Sequence, residues 1–133
     1  MCSTVCKLAL YNLKMTIEEL ESIAFEAINL IQCGDFARFG ELFDYALKFE
    51  RNACNAVKED LESALVGTVG NFHEASPQVS IRKFEPNRNG LRYLLECDLK
   101  MENSTGVLME LIQNSQGAIY LEQISSYRKG LNT

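Results

Sequence analysis

Carboxylates on one predicted strand are the residues of this chain whose spacing comes closest to a catalytic or metal-binding pattern. Glu96, Asp98 and Glu102 recur at even spacing and therefore share one face of a strand. Carboxylates on facing strands can bind a metal ion or act as an acid–base pair. Arg92 and Lys100 alternate on the same face, so we expect a solvated, ion-paired outer surface instead. We predict that the chain holds no metal.

A second candidate for chemistry is His73, the only histidine in the sequence. It lies in a loop-like stretch, residues 70–74, and Glu74 follows it directly. A general base needs an orienting partner, and adjacent residues rarely point together, so we interpret His73 as a surface-loop residue. The sequence has no G-x-S-x-G motif, and its glycine-rich residues 67–71 follow a helix, whereas phosphate loops precede one. We therefore predict a protein without catalytic residues or a cofactor, and not an enzyme.

Five cysteines constrain the redox setting. None forms a C-x-x-C pair, because Cys2 and Cys6 are separated by three residues. Cys33, Cys54 and Cys97 fall in apolar stripes, where a thiol behaves as a small hydrophobic group. An odd number of cysteines in such positions is typical of reduced core residues in a cytoplasmic protein. The alternative is a metal or redox site at Cys2 and Cys6.

The net charge of −5 is unevenly distributed along the chain. Residues 16–66 hold eleven acids and four bases, a net of −7, whereas residues 67–133 hold seven of each. Nucleic-acid binding requires a basic footprint, so this asymmetry argues against it and favours a basic protein partner. No apolar run reaches the roughly 18–20 residues that cross a bilayer, so we predict no membrane association.

The acidic half of the chain supplies the predicted partner-binding residues. On the helices these are Glu41, Asp44, Glu59 and Glu62, and the second choices, from the sheet, are Asp98 and Glu102. Exposed acids of this kind steer a basic partner towards the surface and raise the rate of association. We expect charge reversal at these positions to slow association and to leave the fold intact.

The hydrophobic period predicts the elements that must hold these residues. Apolar residues recur at helical spacing from residue 16 to residue 66. Thr16 and Glu19 form a capping-box pattern at the start of a first helix, which we predict over residues 17–33. Its apolar stripe consists of Ile17, Leu20, Ala24, Ala27, Ile28 and Ile31.

A second helical segment is predicted over residues 35–65, where a single 3.6-residue period persists. Gly34 ends the first helix, and Asp35 caps the second. The segment is either one helix or two helices that break near residues 49–52. Gly40 interrupts the segment at a cost of up to about 1 kcal/mol relative to alanine, and we predict that it marks a close crossing with the first helix.

Aromatic side chains crowd this second segment. They are Phe36, Phe39, Phe43, Tyr45 and Phe49. Packing of such rings against a sheet is the ordinary interpretation, and we predict it here. The alternative is a ligand pocket that these rings line together with Tyr93.

From residue 79 to residue 127 the apolar residues largely alternate, which predicts antiparallel strands. We predict strands over residues 79–85, 91–101, 107–113 and 118–127. A tight turn is expected at Asn89-Gly90, and Pro77 is expected to separate the helices from the sheet. The inward face of the second strand consists of Leu91, Tyr93, Leu95, Cys97, Leu99 and Met101.

Helices followed by strands define an α+β fold, with N-terminal helices packed on an antiparallel sheet of three to four strands. A length of 133 residues is typical of one domain. We assign residues 1–14 to an N-terminal extension and residues 15–133 to the domain, because the capping box at Thr16 starts the first helix without the extension. We expect truncation to Met15 to leave the melting temperature within a few degrees.

The order of elements resembles that of the cystatin-like and NTF2-like superfamily. The segment MTIEELESIAFEAINLIQCGDFARFGELF, with its acidic helix, short GD link and aromatic second helix, is similar to the first helix pair of that superfamily. The segments LRYLLECDLKM, GVLMELIQ and AIYLEQISSY are similar to its closing sheet, so the resemblance covers residues 15–127. It implies helices packed into the concave face of a curved sheet. The superfamily includes ligand-binding proteins, a few enzymes and immunity proteins that neutralise bacterial toxins.

One departure from that superfamily bears on function. Its enzymes place Asp/His or Tyr/Asp groups in the pocket, whereas the inward strand face here is almost entirely apolar. We therefore predict a cytoplasmic, non-catalytic acidic binding protein, most concretely a bacterial immunity protein that binds and inhibits a basic toxin domain. The alternative is an NTF2-like small-ligand binder or enzyme with an aromatic-lined pocket, and a third interpretation is a plain oligomerising module. A pocket of about 300 Å3 or more with convergent polar groups would favour the ligand binder.

Overall fold

The computed structural model describes residues 15–129. Within this range the chain forms three α-helices, one short 3-10 helix and five strands, with the α-helices N-terminal to the four long strands. This arrangement confirms the predicted α+β class. The predicted extension at residues 1–14, with Cys2 and Cys6, lies outside the described residues, as do residues 130–133.

Helix α1, Ile17–Gln32, begins as the sequence predicts. The Thr16 hydroxyl accepts a hydrogen bond from the Glu19 N–H at 3.1 Å, and the Glu19 carboxylate accepts one from the Thr16 N–H at 2.8 Å. This reciprocal pair satisfies two backbone donors that a helix N-terminus leaves free. The predicted apolar stripe is buried except for Ile17, which is 43% exposed because Met15 occupies the core at this end of the helix.

Residues 35–65 form two helices, so one of the two alternatives is correct. Helix α2, Phe36–Leu42, and helix α3, Ala53–Leu65, are separated by β1, Asp44–Tyr45, and by residues 46–52, which we call the 46–52 loop. The helical geometry ends at Leu42, earlier in the chain than the predicted break.

Local signals explain the break between α2 and α3. Asn52 caps α3 by accepting a hydrogen bond from the N–H of Asn55 at 2.8 Å. Phe49 and Glu50 have φ angles of 48° and 71°, which a right-handed helix does not contain. Phe43 follows α2 directly and has an extended backbone, yet its side chain is buried. The apolar spacing of the sequence therefore continues past the end of the helix.

The sheet has five strands in the order β1-β5-β4-β3-β2. Its long strands are β2, Ser76–Lys83, β3, Leu91–Lys100, β4, Thr105–Asn114, and β5, Ile119–Arg128. They form the predicted antiparallel meander. The prediction of a purely antiparallel sheet of three to four strands is wrong, because β1 adds a fifth strand that pairs parallel with β5. A two-residue strand shows no alternation by which the sequence could reveal it.

Pro77 lies inside β2 and does not separate the helices from the sheet. Proline cannot donate to a ladder, so within sheets it is confined to edge strands, strand starts and bulges. Strand β2 is an edge strand, and Pro77 is its second residue. The predicted start of this strand at residue 79 was therefore three residues late.

Alternate side chains of the central strands face the helices and form the core. Leu95, Cys97 and Leu99 of β3 are fully buried, as predicted. They pair across the ladder with Leu111, Met109 and Val107 of β4, which are also fully buried. From α1 the layer is completed by Leu20, Ala24, Ala27, Ile28 and Ile31.

The cysteine prediction is only partly correct. Burial raises the pKa of the Cys97 thiol to about 12, so this group stays protonated and unreactive at neutral pH. Cys54 is half-buried, whereas Cys33 is exposed just after α1. The prediction that Cys33 is a core residue is therefore wrong, although Cys33 continues the apolar stripe of α1 in the sequence.

Gly40 marks a close approach of two helices. The prediction that Gly40 faces α1 is wrong, because the helix that approaches it is α3. A β-carbon at this position would lie 3.2 Å from the backbone nitrogen of Cys54 and 3.4 Å from the Ala53 β-carbon. The missing side chain lets the start of α3 pack against α2. After the 46–52 loop, the chain therefore lies against α2 again at the start of α3.

Gly106 on β4 marks a second close approach. It pairs with Tyr127 of β5, and the Tyr127 hydroxyl donates a 2.6 Å hydrogen bond to Asp98 on β3. A β-carbon at Gly106 would overlap the Tyr127 ring and would lie 2.8 Å from the Leu99 carbonyl oxygen. The absence of a side chain at Gly106 therefore lets Tyr127 reach across β4.

We predict that Gly106→Ala lowers the free energy of unfolding by about 1–3 kcal/mol, the usual range for an overpacked site. Urea denaturation followed by circular dichroism measures this change. Gly67→Ala is the control, since its β-carbon would be no closer than 3.3 Å to the Ser126 hydroxyl. In a Tyr127→Ala background the cost of Gly106→Ala should shrink without vanishing, because the Leu99 carbonyl remains. An equal cost in both backgrounds would contradict the proposed overlap.

Candidate functional site

The 46–52 loop is held by one side chain, Arg51. Its guanidinium donates to two loop carbonyls, from Nη2 to Leu47 at 2.7 Å and from Nε to Lys48 at 2.8 Å. The same group donates from Nη1 to the carboxylates of Asp60 and Glu59 on α3, each at 3.1 Å. Because a guanidinium is planar and rigid, these bonds join the loop to the helix in one fixed arrangement.

The hydrogen bonds of Arg51 to the 46–52 loop and to α3 form what we call the Arg51 clamp. Asp60 connects this clamp to the core. Its carboxylate also accepts a hydrogen bond from the hydroxyl of Tyr45, whose side chain is almost fully buried in β1. Burial alone would raise the pKa of Asp60, but the hydrogen bonds from Arg51 and Tyr45 outweigh it and lower the pKa below the ordinary value of 3.8. Burial, together with the nearby Asp60 charge, raises the pKa of Tyr45, so its hydroxyl remains a donor.

Phe49 lies in the clamped loop and is 75% exposed. Phe49 and Glu50 both have positive φ, a conformation that costs a bulky residue energy and that persists only where surrounding contacts impose it. The Arg51 bonds to the carbonyls of Leu47 and Lys48 are such contacts. The loop therefore presents an aromatic ring to solvent on a backbone that is fixed on both sides.

The predicted helical acids are all exposed, and two of them flank this loop. Asp44 accepts a 2.7 Å ion-pair hydrogen bond from Lys48, which lowers the pKa of Asp44, and Glu59 is paired with Arg51. Together with Phe49 and Glu50, these two acids form what we call the acidic loop surface.

The other two helical acids lie outside that surface. Glu41 is on α2 and pairs with Arg38 at 3.4 Å, and Glu62 is exposed on α3, one turn beyond Glu59. Three of the four predicted acids thus have a cation of the same chain beside them. The negative charge of these three acids is therefore partly compensated. Sequence spacing did not reveal this pairing, because two of the cations, Lys48 and Arg51, lie in the irregular 46–52 loop.

The two sheet acids are not brought to the acidic loop surface. Asp98 is half-buried on β3 and accepts the Tyr127 hydrogen bond, so its main contact is structural. The Asp98 carboxylate and burial raise the pKa of Tyr127 to about 12, burial being the larger cause. Glu102 is exposed after β3, with its side chain against Gly70. Strands β4 and β5 lie between β3 and β1, so these acids are remote from the loop.

The other residues considered for catalysis or metal binding make ordinary structural contacts. Glu96 pairs with Arg82 at 3.3 Å and faces Glu110 across the ladder. Arg92 and Lys100, which were expected to pair with the strand acids, form no ion pair within residues 15–129. His73 is exposed in the short 3-10 helix, and its Nδ1 contacts the carbonyl of Gln32. Among residues 15–129, no cluster of three or more His, Cys, Asp or Glu side chains has the geometry of a metal site.

The helix aromatics pack in the core, as predicted, with one exception. The rings of Phe39 and Phe43 lie 5.0 Å apart, and both side chains are buried together with Tyr45. Phe36 is half-buried against them, whereas Phe49 is exposed. Phe49 was assigned to the core together with the other rings of this segment, but it lies in the 46–52 loop.

Three of the cavities formed by the described residues are open grooves at the surface. None of these three is lined by Phe39, Phe43 or Tyr93. One groove, of about 310 Å3, lies between α3 and β5 and is lined by Asp60, Ser63, Ala64, Ile124, Ser125 and Ser126. The other two flank the β2–β3 hairpin and measure about 380 and 170 Å3.

Comparison of the chain with protein-family models, with curated proteins and with solved structures yields no match. In the part of the chain that the structure describes, no helix has the length and apolar character needed to span a membrane.

We predict that Asp60→Asn destabilises the domain at neutral pH and that the difference from wild type shrinks in acid. A carboxyl group whose pKa is lowered by folding stabilises the native state above its unfolded pKa, and that contribution disappears as pH falls through the folded pKa. Urea denaturation at pH 7, 5 and 3 measures the difference, which should be constant above about pH 5 and should fall below about pH 4. Glu62→Gln, on the exposed face of the same helix, is the control. A difference that does not depend on pH would contradict the role given to the Asp60 charge.

Proposed function

We propose that this chain is a non-catalytic acidic binding protein that takes a basic protein partner through the acidic loop surface. Its most concrete role would be that of an immunity protein in the bacterial cytoplasm, which inhibits a basic toxin domain by binding it stoichiometrically. The order of elements, helices followed by an antiparallel meander, supports the resemblance to cystatin-like and NTF2-like domains from which this role is drawn.

The observation that carries the proposal is the exposure of Phe49. Energetic hot spots of protein interfaces are aromatic anchors surrounded by groups that exclude water. Phe49 is 75% exposed, and its backbone is fixed by the Arg51 clamp. Glu50 follows it in the loop, and Asp44 and Glu59 are paired with the loop residues Lys48 and Arg51. An anchor on a fixed backbone loses little conformational entropy on binding, which favours affinity. A partner would then offer an apolar pocket rimmed by lysine or arginine.

The charge of the helical half supports a basic partner. Residues 16–66 carry a net charge of −7, and this excess remains although some acids pair with cations of the same chain. Fields of this kind act over about 8–10 Å at physiological salt and increase the rate of encounter more than the lifetime of the complex.

A second candidate function is the binding of a small polar ligand, and the α3–β5 groove favours it. The groove measures about 310 Å3, and the Asp60 carboxylate and the hydroxyls of Ser63, Ser125 and Ser126 converge on it. It is wide open, however, whereas small-molecule sites usually enclose most of their ligand. If a metabolite-sized compound raises the melting temperature, Ser63→Leu should abolish that rise and leave binding through Phe49 unchanged.

We predict that Phe49→Ala weakens binding of the product of the neighbouring gene by about thirtyfold, equivalent to the roughly 2 kcal/mol of an interface hot spot. Isothermal titration calorimetry measures the affinity. Phe25→Ala is the matched control, because Phe25 is an exposed phenylalanine on α1, remote in sequence from the loop. Equal affinities of both variants and the wild type would remove the main support for this surface.

We also predict that reversal of the loop acids slows association. Glu50→Lys, which leaves the Arg51 contacts with Glu59 and Asp60 intact, should reduce the association rate constant and flatten its dependence on salt, with little change in the dissociation rate, since steering acts before contact. Stopped-flow kinetics between 20 and about 500 mM salt measure both effects. Asp98→Asn is the comparison, because Asp98 is remote from the loop. If the rate and its salt dependence stay at wild-type values, the acids serve solubility, and the ligand-binding function should be preferred.

A further inference from the structure

A cluster of cations lies at the β2 edge of the sheet, opposite to the acidic loop surface. Residues 76–95, which contain β2 and the β2–β3 hairpin, include Arg82, Lys83, Arg88 and Arg92 but only one acid, Glu85. Arg82 is paired with Glu96, and its side chain is still 67% exposed. Among residues 15–129, no acid lies within salt-bridge distance of the other three cations.

Strand β2 offers a backbone ladder beside these cations. It pairs with β3 on one side, and within the described residues no strand lies on its other side. The Phe84 N–H donates to the Arg92 carbonyl at 2.8 Å. Because hydrogen-bonded and non-hydrogen-bonded pairs alternate along an antiparallel ladder, this bond shows which residues of β2 bond to β3. Even-numbered residues of β2 bond to β3, so the backbone N–H and C=O groups of Val79, Ile81 and Lys83 point outward.

The side chains along this edge favour a particular kind of strand. Val79 and Ile81 are half-buried on the helix-facing side of the sheet, whereas Arg82 is exposed on the other side. At the end of the edge lies a groove of about 380 Å3, whose lining consists of two cations, one acid and three apolar residues: Lys83, Arg92, Glu85, Phe84, Pro86 and Leu91. A strand that alternates apolar and acidic side chains would match both sides of this edge.

We propose that the β2 edge binds an extended acidic segment of a protein partner, which adds to the sheet next to residues 79–83. Pro77 limits the addition at one end, because it has no N–H to donate. The cations disfavour a second copy of the same edge, as expected of edges protected against self-association, and they attract a segment of opposite charge. This surface is separate from the acidic loop surface, which lies at the β1 edge of the sheet.

The first test uses a capped hexapeptide of alternating glutamate and valine as the probe, with NMR hydrogen exchange as the readout. At a concentration of about four times the Kd, exchange of the outward N–H groups of Val79, Ile81 and Lys83 should slow about fivefold. The N–H groups of Ser80 and Arg82, which already bond to β3, should not change. A peptide with three glutamates followed by three valines has the same charge without the alternation and should bind at least about fivefold more weakly.

Two substitutions assign the binding to the edge. Lys83→Glu should weaken peptide binding by about threefold to fivefold, the range expected for a surface charge pair, whereas Lys58→Glu on α3 is the matched control and should have no effect. Ile81→Pro removes one outward donor and leaves the β3 ladder intact, so it should abolish the slowed exchange at the edge. Phe49→Ala should leave peptide binding unchanged, which separates this proposal from the proposed function.

Several results would overturn the proposal. These are equal binding of the two glutamate peptides, slowed exchange without the odd–even alternation, and no detectable binding at about 5 mM peptide. Slowed exchange that appears with rising protein concentration alone would assign the edge to a second copy. Tighter binding of a ten-nucleotide oligouridine than of the alternating peptide would assign the cations to nucleic acid.

Discussion

Burial of the inner faces of β3 and β4 against α1 determines where the charged groups of this domain can lie. That layer is apolar apart from the buried side chains of Thr105 and Gln113 on β4, and an unpaired charge within it would be strongly unfavourable. The acids and cations are therefore displaced to the outer faces of the helices, to the outer face of the sheet and to its two edges. Because α2, α3 and β1 occupy one edge and the β2–β3 hairpin forms the other, surfaces of opposite charge develop at opposite ends of one layer.

The Arg51 network shows how a charged group can contribute to order without being fully buried. A guanidinium that bonds two carbonyls and two carboxylates replaces the hydrogen bonds that an irregular backbone would otherwise make with water. The same network reaches the core through Asp60 and Tyr45. The conformation of an exposed loop is thus coupled to packing under the sheet.

Sequence patterns predicted the regular parts of this domain and failed where the geometry is irregular. The capping box, the first helix and the long strands were predictable because capping residues and alternation are local signals. The 46–52 loop was not predictable, because its apolar residues kept a helical spacing while Phe49 and Glu50 took up positive φ. The acids of the candidate site were identified from composition, but their pairing with Lys48 and Arg51 depends on that same loop. The basic β2 edge escaped notice because a balanced count of charges over residues 67–133 concealed its clustering.

The parallel contact between β1 and β5 has a consequence for how the protein is made. Strand β5 is the last element of the described chain, whereas β1 lies in its first third. During synthesis on a ribosome, β1 has no strand to join until residues 119–128 have emerged, and such long-range pairings form late. A nascent chain or a proteolytic fragment without β5 would retain α1 but would leave Tyr45 and the clamp behind it unsupported. The Phe49 ring would therefore reach its fixed position only after residues 119–128 have joined the sheet.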